Sequence, residues 1–321
     1  MLQKYNIISN KLAINNQEEA NIHIYSSPTV EEHQHLITTL PLDQHSLSSA
    51  LDPDEISRLE LKPNLTFMIW KHPENYSFEG EIRFNVSSIG IVMKPEQLVI
   101  IMAGNISLFN EQYLHQMRNL PDVVLNILSQ TTRHFLEHLK VIKQISREIQ
   151  KKINTALENE YLIQMFTLGE SLTYYLNAVS SNIAVLNKMN NNIEKIGLSQ
   201  EQKELLDDIL IENNQCYKQA EIYSNTLSEL MDARGTLVNN NMNVILRNLT
   251  TINVIFLPLN LIAGIFGMSE FSFMTKGIDW RISYSFFAVA LILFGWLTAI
   301  IINKIGGWQK RKPDTIPYRR A

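Results

Sequence analysis

Charge is missing from two stretches of this 321-residue sequence: from Asn248 to Met268, and from Ile282 to Ile302, there is no Asp, Glu, Lys or Arg. Each stretch reaches the length of about 20 residues that a helix needs to cross a bilayer. A soluble core hardly tolerates helices that are apolar on nearly every face, so the pair reads as a membrane hairpin. Cysteine is nearly absent too, because Cys216 stands alone in a polar, helical-looking stretch. That excludes an internal disulfide and suits a reducing cytosolic setting for the rest of the chain. There is no basic excess, with 28 Lys and Arg against 32 Asp and Glu, so a nucleic-acid surface is not expected. No glycine-rich phosphate loop and no nucleophile elbow occur, which argues against ATP-driven work or hydrolysis and calls for no cofactor. The opening MLQKYNIISNKLAINNQ lacks an apolar core, so no signal peptide is expected and insertion falls to the hairpin.

What is present divides the chain into textures. Residues 1–108 alternate β-rich runs with turn signals: NIHIYSS, LTFMIWK, EIRFNVSSIGIVM and QLVIIMAG. LDPDEISRLE reads as a helix opened by Asp52 and Pro53. His33 and His35 alternate as on a strand and read as surface residues. This predicts a cytosolic α/β domain with a mixed sheet, within an α+β membrane protein. From Asn110 to Arg247 there is no proline after Pro121 and little glycine, so 109–198 reads as long helices. A break falls at Ile196-Gly197-Leu198-Ser199, where Gly197 can end one helix and Ser199 can cap the next, with Glu201 and Gln202 in its first turn.

Beyond Gln200 nothing stops a helix until Pro258, which would kink it by freeing one carbonyl. A helix of about 65 residues spans about 100 Å, more than a globular core needs. It is expected to be a cytosolic stalk over 199–247 that becomes the first crossing over 248–268, followed by an outward loop over 269–281 and a second crossing over 282–303. The tail, 304–321, carries Lys304, Lys310, Arg311, Lys312, Arg319 and Arg320 against Asp314. Positive residues stay in the cytoplasm, so both termini are expected there. In the loop, Glu270 and Asp279 balance Lys276 and Arg281, and no net field results.

One stripe on that helix combines amides, hydroxyls and small residues. Alternating steps of three and four from Asn243 reach Leu246, Thr250, Asn253, Leu257, Asn260, Gly264 and Gly267. An amide facing lipid is costly, so the stripe should face protein or water. One helix cannot enclose water, and several copies around an axis can. Close helix packing at Gly264 and Gly267 is the other reading.

The run NNMNVILRNLTTINVIFLPLNLIAGIFGM over 240–268, the loop, the second crossing and the basic tail resemble the CorA family of magnesium channels, which includes a zinc-transporting, ZntB-like branch. The likeness extends over essentially the whole chain. It implies a homopentamer in a bacterial inner membrane that carries divalent cations passively: magnesium first, with zinc, cobalt or nickel as alternatives, or else a non-conducting relative. It places Asn243, Leu246, Leu249, Thr250, Asn253, Leu257, Asn260 and Gly264 along the pore, and Asp232 near the ion-sensing part of the stalk. The family's Gly-Met-Asn motif corresponds to Gly267, Met268 and Ser269, with serine in place of asparagine. Magnesium dehydrates reluctantly, so a ring of amide oxygens suits its hydrated form. A ring of serines is wider and lacks amide geometry. Where the family continues Met-Pro-Glu, this chain has Met274-Thr275-Lys276; Glu270 can compensate in part.

Two acidic and histidine patterns complete the reading. Glu74, Glu79, Asp207, Asp208 and Asp232 are candidates for a regulatory divalent ion shared between neighbouring copies, the alternative being a solvated surface. His134-Phe135-Leu136-Glu137-His138 spells the H-x-x-E-H of inverted zinc proteases, yet no further acidic ligand is evident. A polar helix face is the expected explanation.

Overall fold

The computed structural model describes residues 1–15, 20–40, 43–76, 82–104, 116–153, 160–274 and 276–307. Two compact units emerge, Met1–Ala233 and Arg234–Ala321. Glu79 and the basic tail beyond residue 307 lie outside the described residues.

Unit 1 is built on a seven-stranded sheet of order β2-β1-β3-β7-β6-β5-β4. The strands are β1 (Leu2–Ile8), β2 (Lys11–Ile14), β3 (Ile22–Ser26), β4 (Arg58–Lys62), β5 (Leu65–Pro73), β6 (Val86–Met93) and β7 (Leu98–Met102). Among the described residues only β3 and β7 pair in parallel, and the other neighbours are antiparallel, so the sheet is mixed as expected. The β1–β2 hairpin, which the apolar runs had not suggested, turns at Ser9 and Asn10 with φ of 52° and 63°. Two successive positive φ values match the twist of a tight hairpin.

Period-two alternation sends side chains of the central strands into two separate cores. Met68, Trp70, Ile89, Ile91 and Ile100 face Val123, Val124, Leu186 and Leu206 on long helices. Phe67, Ile69, Val92 and Ile101 face Leu36, Leu47 and Ala50 on two short ones. These are α1 (Val30–Thr39) and α2 (Gln44–Leu51), and the long helices are α3 (Leu120–Ile153), α4 (Glu160–Asn190) and α6 (Gln200–Phe266), with a single turn α5 (Ile193–Ile196). The sheet is therefore sandwiched between helices. Buried on both faces, β5 can read as the near-continuous apolar run LTFMIW. A third cluster, with Phe135, Leu139, Leu172, Tyr175, Cys216 and Ala220, joins α3, α4 and α6. Cys216 thus faces inward despite its polar neighbours, and burial pushes its thiol up to about 12.

The break near Gly197 forms as the sequence predicts. Gly197 is left-handed at φ 78°, and the Gly197 and Leu198 amides both donate to the Ile193 carbonyl, at 2.9 and 3.2 Å. Ser199 and Gln202 then make a reciprocal cap: the Gln202 amide donates to Ser199 Oγ at 3.3 Å and the Ser199 amide to Gln202 Oε1 at 2.8 Å. Pro258 lies inside α6, which continues to Phe266.

Three expectations are corrected. LDPDEISRLE does not open a helix at Asp52: α2 ends at Leu51, with Asp52 as its C-cap. The Asp54 amide donates to Asp52 Oδ1 at 2.9 Å, an Asx turn that competes with helix continuation. The chain then enters β4, where pairing with β5 buries Leu59. His33 and His35 lie on α1 rather than a strand, because Thr29 and Glu32 close a capping box ahead of them. Also, among the described residues of the run EIRFNVSSIGIVM the strand begins only at Val86, and Glu81 lies outside them.

Candidate ion pathway

Unit 2 holds the membrane-facing elements: the end of α6, α7 (Ser269–Met274) and α8 (Trp280–Gly307). Both α6 and α8 contain windows long and apolar enough to span a bilayer, and 0% of either window is buried within the protomer. This disposes of the alternative of two core helices in a soluble fold. Leu257 is 70% exposed and Phe286 79%, and surfaces this apolar are stable against lipid or against other copies. Where the two helices approach, a Cβ on Gly295 would lie 3.5 Å from Leu259 Cδ1. Asp279 Oδ1 accepts from the Arg281 amide at 3.1 Å just ahead of α8. The Arg281 guanidinium lies 5.5 Å from the Trp280 ring centre, an aromatic-cation pair suited to the headgroup level.

The stripe lies on unbroken helix. Asn243, Leu246, Leu249, Thr250, Asn253, Leu257, Asn260 and Gly264 are all exposed on the single protomer. The Thr250 hydroxyl donates to the Leu246 carbonyl at 2.8 Å and Thr251 to Arg247 at 2.9 Å. With their protons so used, both oxygens offer only lone pairs outward. That is the polarity a cation needs. Apart from the backbone of its own helix, no atom lies within 4 Å of a built Cβ at Gly264; at Gly267 a Cβ would meet the Ala263 carbonyl oxygen at 3.2 Å. Gly267 therefore belongs to the tight end of α6, where its amide donates to Ala263 at 3.0 Å and that of Met268 to Ile265 at 3.2 Å. Ser269 opens α7 directly afterwards. Glu270 follows in the same turn of helix. Lys276 is exposed, its ammonium 5.9 Å from the Phe273 ring centre.

The acidic candidates are spread over unit 1. Asp207 accepts from Asn190 Nδ2 at 3.0 Å, Asp208 and Asp232 are exposed on α6, and Glu74 lines a cavity of about 380 Å³ with Asp54, Glu170, Lys71 and Arg83. Two cations in that cavity stand against its three carboxylates and offset them in part. Among the described residues no three His, Cys, Asp or Glu side chains already converge at metal-ligand spacing. A regulatory ion on these residues would thus need ligands from a second copy.

The H-x-x-E-H run is not a polar face, which corrects the sequence expectation. His138 is buried, with Nδ1 2.6 Å from the Tyr175 hydroxyl. His134 is half-buried, its ring centre 4.3 Å from that of His138 and 5.4 Å from that of His72. Burial, then His134 and His138, lower His72 to about 3, and burial, then His134, lowers His138 to about 3. The three imidazoles are neutral at pH 7. Sequence reasoning missed His72 and Tyr175, which stand far from the run in the chain and reach it only through packing.

Comparison with known proteins fits this architecture. The family model described as CorA-like Mg2+ transporter protein matches residues 19–306. The chain is 26% identical over 258 residues to the cobalt/magnesium transport protein CorA of Methanocaldococcus jannaschii, covering 77% of this chain and 78% of that protein. The complete structure of the Methanocaldococcus jannaschii CorA magnesium transporter superposes with a TM-score of 0.74 at 20% identity, over 95% of this chain and 96% of that one. The ZntB cytoplasmic domain from Vibrio parahaemolyticus superposes with a TM-score of 0.57 at 10% identity, over 74% of this chain and 98% of the domain.

Proposed function

This chain belongs to the CorA-like Mg2+ transporter family, whose members are divalent-cation transporters rather than enzymes, and from that premise we propose that it is a homopentameric channel passing magnesium. Five copies of α6 bring the Asn243–Gly267 stripe together around an axis, and both termini stay on the cytoplasmic side of a bacterial inner membrane. Flux is passive, driven by gradient and membrane potential, and is closed by divalent ions bound to cytosolic carboxylates, with Asp232, Glu74, Asp207 and Asp208 the candidates. The observation that carries the pore is the outward lone-pair face of Thr250, aligned at helical spacing with Asn243, Asn253 and Asn260. A ring of such oxygens can hold a hydrated cation without stripping its water.

Ser269 favours a second reading, in which the carried ion is zinc or another transition metal. A serine at the outer turn binds the hydrated magnesium ion less well than an amide. A non-conducting relative is the third outcome. Uptake of magnesium, zinc, cobalt and nickel into proteoliposomes separates the three. Magnesium uptake is expected, and Ser269→Asn is expected to raise it by about tenfold or more, since one hydrogen bond to a charged group is worth about 1.5–3 kcal/mol. Zinc uptake without magnesium supports the second reading. No flux of any of the four ions through a folded oligomer, in wild type and in Ser269→Asn, refutes transport.

A further inference from the structure

We propose that His134, His138 and His72 form a binding site in unit 1 for one borderline divalent transition-metal ion of the zinc, cobalt or nickel class. The proposal stands on unit 1 alone and is independent of which ion crosses the membrane.

His134 and His138 sit one turn apart on α3, so their rings share a face. Their centres lie 4.3 Å apart, and His72, at the end of β5, places its ring 5.4 Å from His134. Three imidazoles from two elements are thereby gathered in one place. His72 is 4% exposed, and its Nδ1 is buried without a hydrogen-bond partner. A buried acceptor left unmatched costs stability, and a metal ion would satisfy it. The Tyr175 hydroxyl engages His138 Nδ1 at 2.6 Å, which leaves Nε2 as the ligand nitrogen and fixes the ring from behind. Outer hydrogen bonds of this kind orient metal-binding histidines.

A route to the site exists. A cavity of about 420 Å³ is lined by Asn75, Tyr76, His134, Glu137, His138 and Val141. Glu137 is exposed, so its carboxylate stands where a cation would arrive. No three ligands already converge among the described residues, so the pair on α3 is the preformed part, and a ring rotation of His72 or the approach of Glu137 completes the set. Imidazole selects the metal: it suits zinc, cobalt and nickel, while magnesium prefers oxygen and keeps its waters. This site therefore distinguishes transition metals from magnesium, which an oxygen-lined pore does less well.

The test is cobalt binding to the full-length, detergent-solubilised protein in excess magnesium, followed by equilibrium dialysis and the visible absorption of nitrogen-ligated cobalt. One cobalt per protomer is expected, retained against the magnesium and displaced by zinc. His134→Gln, at a half-buried position, should weaken binding by about 100-fold or more. Tyr175→Phe, which keeps the ring and removes only the hydroxyl behind His138, should weaken it about 10-fold. Circular dichroism on both variants checks that they fold. Absence of stoichiometric cobalt in the wild type overturns the proposal, and so does binding that survives both substitutions, which would belong to the membrane pathway.

Discussion

Removing the Asn182 amide should cost unit 1 more than any single contact suggests. Asn182 is fully buried on α4, and its side chain extends the sheet where β4 has not yet begun. β4 starts at Arg58, opposite Ile69, so the backbone of Lys71 faces past its end. Asn182 Oδ1 accepts from the Lys71 amide at 3.0 Å and from Ser57 Oγ at 2.7 Å, and its Nδ2 donates to the Lys71 carbonyl at 3.0 Å. Asn182→Ala breaks all three bonds and leaves the Lys71 N–H and C=O buried and unmatched. Each such orphan costs about 1–3 kcal/mol, so the expected loss is about 2–6 kcal/mol. Against a typical domain stability of about 5–15 kcal/mol this is a large fraction. Urea unfolding of the solubilised protein, followed by far-UV circular dichroism, measures it. Ser57→Ala leaves both Lys71 groups matched and removes the bonds to Asn182 and from Ser181 Oγ, so at about 1 kcal/mol net per bond it should lose about 2 kcal/mol. A loss below about 1 kcal/mol for Asn182→Ala would refute the idea that this amide serves as a surrogate strand.

Three more outcomes are expected. In Gly90→Ala the new Cβ meets Ala50 Cβ at 2.5 Å, so overpacking between β6 and α2 should cost about 1–3 kcal/mol, and the compensating Ala50→Gly should recover part of it in a thermal melt. Gly197→Ala forces an alanine to φ 78° and should lower stability by about 1–2 kcal/mol in the same assay. In metal-free buffer, His72 and His138 hold pKa values lowered to about 3 in the fold against about 6.5 when unfolded. The unfolded state therefore binds more protons between these values, so stability is complete above pH 6.5 and falls as pH drops toward 3. The slope is about 1.4 kcal/mol per pH unit for each histidine; urea midpoints that stay level from pH 7 to 5 would contradict neutral burial.

Local pattern and long-range packing divide the legibility of this molecule. The uncharged spans, the Gly197–Ser199 break and the runs that became β3, β5 and β7 could be read directly, because each is specified by residues within one or two turns of one another. The capping box of Thr29 and Glu32 was equally local, and it outweighs the strand-like alternation of His33 and His35. LDPDEISRLE misled because Asp52 can cap a helix or close an Asx turn, and pairing with β5 decided between them. The inward face of His138 was invisible for a related reason. Its partners His72 and Tyr175 lie on β5 and α4, and only the fold brings them to α3.

By itself the sequence determined that a membrane hairpin follows an α/β domain, since a bilayer demands length and apolarity that no local rearrangement can hide. The tertiary structure decided which polar groups are buried and what they meet. Asn182 and Lys71 are 111 residues apart along the chain, and no periodicity links residues so distant until the sheet and the helices pack.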